Sequence, residues 1–423
     1  MLIWLVAGCG GADPVPTYRA DVEPIMAGRC VGCHTPGGIG TFPLDTYADV
    51  VEVGEVVGAV TSSRSMPPWK AAAGHQTYAN DPSLTDDQIA TIAAWVEGGM
   101  PEGDAADAGA PIASLATTLP RVDVTLSLPE PYLPALSPDD YRCFVLPWTA
   151  PGMSYVTGFD VHPGNSSIVH HVAAYLIRPD GIAGDGVIDT FTGWDGSEGQ
   201  GPGYTCFGGP SKTGEALDVP VQQVAQWVPG SGATLFPDGV GIPVPEGSLI
   251  VLQMHYNTLS ADGNPDQSTL DLMTTTDVER IGAFAPWLDA GWTFGNMEIP
   301  PDAAVTHTAK GDPLPFFDLL LDDIDLSNGF LIHAAMLHMH NVGTGGLIRL
   351  DRADGTAETL LDVPAWDFDW QLTYQLAEPI PFAPDDELYL ECRFDNPTSE
   401  LINWGEGSGE EMCVANLFVS APK

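Results

Sequence analysis

The sequence predicts a multidomain chain in which a small all-α domain is followed by two all-β sandwich domains, and three observations carry that expectation. A C-x-x-C-H motif, Cys30 to His34, lies between two runs of helical character. Beyond residue 121 the pattern changes to short alternating or apolar runs without long amphipathic helices, and the 47 Gly and 38 Pro are spread along the chain as turn formers. The length of 423 residues sets a prior of about three domains, and a 44% hydrophobic content is ample for their cores, which excludes disorder of the whole chain.

Charge excludes one class of partner. Fourteen Lys and Arg stand against 57 Asp and Glu, a net charge of −43, which repels nucleic acid and anionic membrane faces. The acidic surface reads as solvation outside the cytoplasm, with docking of a basic redox partner as the lesser reading.

The N-terminal stretch, residues 1–9, is apolar and ends Val6-Ala7-Gly8-Cys9, which resembles the lipobox of bacterial lipoproteins. That resemblance implies an exported chain, periplasmic or at the cell surface, attached to a membrane only through a lipid on Cys9. Eight apolar residues are far short of the roughly 20 that span a bilayer. Oxidising surroundings make disulfides admissible for Cys143, Cys206, Cys392 and Cys413.

Residues 18–104 form the expected helical domain. In Cys30-Val31-Gly32-Cys33-His34, two thiols can form thioethers to haem vinyl groups while the adjacent imidazole meets the iron. A helix-like run, 20–28, precedes the motif. A second, 84–97, follows, with Ile89, Ile92, Ala93 and Val96 on one face, Thr85 as its cap and Gly98-Gly99 as its stop. Met66-Pro67-Pro68-Trp69 resembles the distal-ligand loop of class I cytochrome c domains, so Met66 is expected as the sixth ligand of a covalent haem c. Met26, Met100 and His75 are the competing candidates. The small, aperiodic stretch 105–120 reads as a linker.

In the β region, Val122 to Leu128 alternates strictly, and Glu387 to Cys392 has a short apolar centre. Histidines then gather in three contexts: His170-His171, His255 in Leu-Gln-Met-His-Tyr, and His338-Met339-His340. Residues i and i+2 of a strand share a face, so His338 and His340 can share a metal. Adjacent His170 and His171 point to opposite faces unless a bulge or strand end re-aims one.

These motifs, taken in order with Glu411-Met412-Cys413 and the lead-in Glu391 to Asn396, resemble the copper type II ascorbate-dependent monooxygenases, the family of dopamine beta-hydroxylase and peptidylglycine alpha-hydroxylating monooxygenase. The resemblance covers about 300 of the 423 residues. It implies two jelly-roll-like sandwiches, residues 121–275 and 276–423. One copper ion would be held by His170, His171 and His255, and a second by His338, His340 and Met412. Imidazoles suit copper in both oxidation states, and the Met412 thioether favours Cu(I). The resemblance also implies a Cys392–Cys413 disulfide, and with it Cys143 is expected to pair with Cys206.

The implied reaction is hydroxylation of a C–H bond of a small organic molecule with dioxygen, catalysed at His338, His340 and Met412. Electrons would come from an ascorbate-like reductant or redox protein, relayed through haem to the first sandwich. The alternative is a haem and copper electron-transfer or copper-carrying lipoprotein without hydroxylase activity. Two places depart from the family. The position that holds a substrate carboxylate in the peptide-processing branch is Met336, and a tyrosine after the Glu-Met-Cys element is Asn416. His75, His162, His307 and His333 match no family role, and His333 is expected at most to support the second copper from outside its ligand shell.

Overall fold

The computed structural model describes residues 14–36, 38–113, 118–179, 186–206, 208–215, 221–259, 261–321 and 324–422. Cys9 lies outside them. The chain divides into two compact units, residues 1–69 with 82–115, and residues 70–81 with 116–423.

The first unit is helical. Thr17 accepts from the Ala20 N–H and starts a helical turn, Tyr18–Val22, that runs into the helix Glu23–Arg29, with Pro24 in its first turn. The Cys30 N–H closes on the Met26 carbonyl at 2.9 Å, so the C-x-x-C-H motif begins where this helix ends. The helix Asp86–Glu97 has a full capping box, Thr85 and Gln88 each bonding the other's backbone, and stops at Gly98. Its inward face is Ile92 and Trp95, packed with Tyr18, Val22, Ile25, Met26 and Leu44.

The second unit is almost entirely antiparallel sheet. Among the described residues a nine-stranded sheet runs through it, accompanied by a five-stranded, a four-stranded and a two-stranded sheet. The five-stranded sheet contains Asp139–Pro147, Leu249–Asn257, Val169–Ile177 and Gln222–Trp227 in that spatial order. Its inner face meets Val156, Phe159, Leu270 and Leu272 of the large sheet in one apolar core. A four-stranded sheet, including Gly343–Asp351 and Glu387–Asn396, accompanies the remaining strands of the large sheet, Arg280–Trp287, Val414–Ser420, Phe330–His338 and Tyr374–Phe382. The halves of the large sheet join by a short parallel pairing, Val240 with Arg280 and Gly241 with Ile281.

The expected strand 122–128 is Val124–Ser127, and 387–392 is the first part of Glu387–Asn396. Both expected disulfides are present, Cys143–Cys206 and Cys392–Cys413. No helix among the described residues is long and apolar enough to cross a membrane.

Residues 70–81, which the sequence groups with the helices, pack in the β unit. They extend the edge of the Tyr374–Phe382 strand through Ala377 N to Thr77 O and Ala79 N to Gln375 O, each 2.8 to 2.9 Å. The buried Tyr78 hydroxyl donates to the Leu360 carbonyl at 2.8 Å, and Lys70 pairs with Asp367 at 2.8 Å. An exposed sheet edge offers unpaired backbone groups, and this segment satisfies them.

Candidate metal centres

In the β unit, the neighbouring strands Val169–Ile177 and Leu249–Asn257 bring three imidazoles together. Their register slips between Val169 and His171. The extra residue is His170, and the bulge turns both adjacent histidines toward His255, which the regular alternation of a strand forbids. The Nδ1 atoms of His171 and His255 are 3.1 Å apart, those of His170 and His255 3.2 Å, and those of His170 and His171 3.4 Å. Each corner of this triangle is about 1.9 Å from its centre, against a metal–imidazole bond of about 2.0 Å. Among the described residues these three form the group of His, Cys and acidic side chains spaced to hold a metal ion.

The electrostatics agree with a ligand role. Burial, followed by the neighbouring imidazole of His255, pushes His170 down to about 3. Burial also lowers His171 and His255. All three are therefore neutral at pH 7, the form that offers a lone pair. His255 donates Nε2–H to Asp139 Oδ1 at 2.9 Å, which leaves its Nδ1 lone pair facing the other two rings. Tyr141 stacks flat on His255, centroids 4.1 Å apart at 7°.

His338 ends the strand Phe330–His338, and His340 lies just past it, ring centroids 5.0 Å apart. His338 Nδ1–H donates to Gln371 Oε1 at 2.6 Å, and the Gln371 amide is fixed by donating to the Phe368 carbonyl. His340 Nδ1–H donates to the Glu410 carbonyl at 3.0 Å. With Nδ1 so engaged, Nε2 is the nitrogen of each ring that could bind a metal. Burial drives His338 down to about 3 and lowers His340. The buried Glu411 carboxylate accepts from the backbone N–H of His340 at 2.8 Å, of Val342 at 2.6 Å and of Met412 at 3.3 Å. Burial outweighs those bonds and raises it to about 7. One carboxylate thus ties the buried Met412 to the backbone of His340.

In the helical unit, His34 Nδ1–H donates to the Phe42 carbonyl at 3.0 Å, leaving Nε2 for a metal. Cys30 and Cys33 are free, half-buried thiols, and burial pushes Cys30 up to about 12. Of the competing thioethers, Met26 is 1% exposed and Met100 packs against the same core, whereas Met66 is half-buried and outside it. His75 stands 3.6 Å from Asp362 in the β unit.

Three other positions need comment. His333 does not approach the His338 centre as an outer-shell support; it bonds Ser420 Oγ at 2.8 Å inside the core, beside Phe418. Met336 lies directly opposite Asn416 across paired strands, two residues before His338 and so on its face of the sheet. Asn416 Nδ2 donates to Gln223 and Gln226, and its Oδ1 is buried without a hydrogen-bond partner. Sequence reasoning missed Asp139, Gln371 and Phe368, because each lies in a segment with no spacing signal and reaches the site only through tertiary pairing.

The fold and its side chains thus define a β protein with one metal-spaced trio of imidazoles and a second imidazole pair in the same unit. Within it, residues 292–419 match the copper type II ascorbate-dependent monooxygenase C-terminal domain family. The chain is 26% identical over 264 residues to DBH-like monooxygenase protein 1 of Mus musculus, covering 61% of this chain and 40% of that protein. It is 24% identical over 366 residues to the Homo sapiens protein of the same name, covering 81% of this chain and 56% of that one. DBH-like monooxygenase protein 2 of Mus musculus is 25% identical over 265 residues, covering 60% and 38%. The chain thus spans roughly half the length, or less, of these curated relatives. The family match covers residues 292–419 of the β unit, and the similarity to the DBH-like monooxygenase proteins extends beyond it.

Proposed function

We propose that this chain is an exported copper-dependent monooxygenase that hydroxylates a C–H bond of a small organic substrate. The observation that carries the reading is the meeting of three neutral Nδ1 atoms at His170, His171 and His255, in the same β unit as His338 and His340, whose Nε2 atoms are left free. His170, His171 and His255 would hold one copper ion, and His338, His340 and Met412 the other. Bound copper would supply the one-electron chemistry by which a C–H bond, dioxygen, two electrons and two protons give one C–OH group and one water.

The chain's own residues do the rest. Asp139 and Gln371 fix the tautomers of His255 and His338, while the Glu410 carbonyl fixes His340. Burial keeps the rings neutral, so no proton competes with the metal at neutral pH. Met336 and Asn416, on the His338 face, offer no positive charge, which favours a neutral substrate over a carboxylate. A c-type haem at Cys30, Cys33, His34 and Met66 would feed electrons to the first copper, with an ascorbate-like reductant or redox protein as the outer donor. The engaged Nδ1 of His34 and the two unpaired thiols support that reading. Export agrees with two disulfides.

The test is a chain matured in a host that attaches c-type haem and supplied with copper. Oxygen-dependent hydroxylation of a neutral substrate, lost in His338→Ala, is expected. Covalent haem should vanish in Cys30→Ser/Cys33→Ser, and its spectrum should change in Met66→Ala. Copper-loaded chain that consumes oxygen without forming product from any C–H substrate would contradict the enzyme reading.

A further inference from the structure

Asp139 opens the strand Asp139–Pro147, and its two carboxylate oxygens bond to segments far apart in the chain. Oδ1 accepts from His255 Nε2 at 2.9 Å and from Asn257 Nδ2 at 3.3 Å. Oδ2 accepts from Ser408 Oγ at 2.5 Å. Ser408 belongs to the segment that follows the short strand Ile402–Asn403 and leads into Glu410, Glu411 and Met412. The Ser408 carbonyl accepts from Asn341 Nδ2 at 2.8 Å, and Asn341 follows His340 directly. A second link runs alongside: the Tyr141 hydroxyl, on the ring stacked against His255, donates to the Glu406 carbonyl at 3.1 Å. Residues of the first centre therefore hold the segment of the second at two points.

On the ligand sets proposed above, we propose that Asp139 is a positioning residue with two tasks. It fixes the His255 imidazole with Nδ1 turned to its partners, and through Ser408 it couples that ring to the segment that holds His340 and carries Met412. A carboxylate on the far nitrogen of a ligating histidine both selects the tautomer and strengthens the ring as a donor, and its removal usually weakens metal binding by about 10- to 100-fold. The Ser408 bond in turn restrains the carboxylate, so the geometry of the first centre depends on a residue beside the second.

The experiment titrates copper alone into the full chain and into Asp139→Asn, Asp139→Glu, Ser408→Ala and the Asp139→Asn/Ser408→Ala double variant. Competition with a chromogenic Cu(I) chelator gives affinity, and electron paramagnetic resonance of Cu(II) reports the ligand field. His171→Ala identifies which copper belongs to the first centre. Asp139→Asn is expected to weaken that copper by about 10- to 100-fold and change its resonance, while the other copper shifts only a few-fold. Ser408→Ala should weaken the first copper by a few-fold, and the double variant should resemble Asp139→Asn alone, since the two residues act in series. Rescue toward parent affinity in Asp139→Glu supports the carboxylate role. If Asp139→Asn fails to fold, the Ser408→Ala resonance decides: an unchanged first-centre spectrum overturns the coupling. Parent affinity and spectra in Asp139→Asn overturn this inference alone, whereas a parent chain that binds no copper overturns the functional reading with it.

Discussion

The Phe368 ring stacks on the His170 imidazole, centroids 4.6 Å apart and planes 23° from parallel. The same ring meets His340 edge-on at 6.1 Å and 81°. One aromatic side chain therefore touches a proposed ligand of each centre, and its carbonyl is held by the Gln371 amide that orients His338 through its other end.

Replacing Phe368 with Ala should loosen His170. An aromatic pair of this kind is worth about 0.5–1.5 kcal/mol, so copper at the first centre should bind roughly 2- to 10-fold more weakly, with both ions still bound at saturation. Chelator competition at each centre measures this, and a loss confined to the second centre would contradict it.

Gln371→Ala removes the acceptor that holds Nδ1–H of His338. The ring is then free to turn or change tautomer, and the second centre should lose about 10- to 100-fold in copper affinity. The first centre should change less, by no more than the roughly 2- to 10-fold expected of Phe368→Ala, since Gln371 reaches it only through the Phe368 carbonyl. Site-resolved titration with His171→Ala as background separates the two.

His333 gives a pH signature independent of metal. Burial, then the Arg280 charge, lowers it to about 4 in the folded chain, against about 6.5 when unfolded. Between those values the unfolded chain binds the extra proton, so stability rises with pH across the window. The contribution, up to about 3 kcal/mol, is full above pH 6.5 and gone below about pH 4. Thermal unfolding of the copper-free chain from pH 7 to pH 4 should show this slope on top of that from the other buried histidines, and His333→Gln should reduce it by the His333 share.

Much of this arrangement is legible in the sequence because it rests on local signals. The capping box at Thr85 and Gln88 marks a helix start, and it does start there. The adjacent pair His170-His171 demands a bulge if both rings serve one site, and the register slip supplies it. What depends on long-range pairing is not legible. Asp139 is 116 residues from His255, and Ser408 is 269 residues from Asp139. Residues 70–81 join the β unit through backbone bonds to a strand roughly 300 residues later, which no periodicity within the segment announces. His333 takes the structural place expected of a histidine without a family role, but its partner Ser420, 87 residues away, is not legible for the same reason.

The disulfides should differ in worth. By chain entropy, closing the 63-residue separation of Cys143 and Cys206 stabilises by about 4 kcal/mol, and the 21-residue separation of Cys392 and Cys413 by about 3 kcal/mol. Replacing both cysteines of each pair by Ala, with denaturant unfolding as readout, should give that order. The Cys392/Cys413 pair should cost more copper affinity at the second centre, because Cys413 adjoins Met412.

The most direct test of the account is copper content per chain after saturation and gel filtration, in the parent, His171→Ala, His340→Ala and the double variant. Two centres with separate ligand sets predict two copper ions in the parent, one in each single variant and none in the double. A parent with no copper, or single variants that keep both ions, would contradict the assignment of these six side chains to two centres.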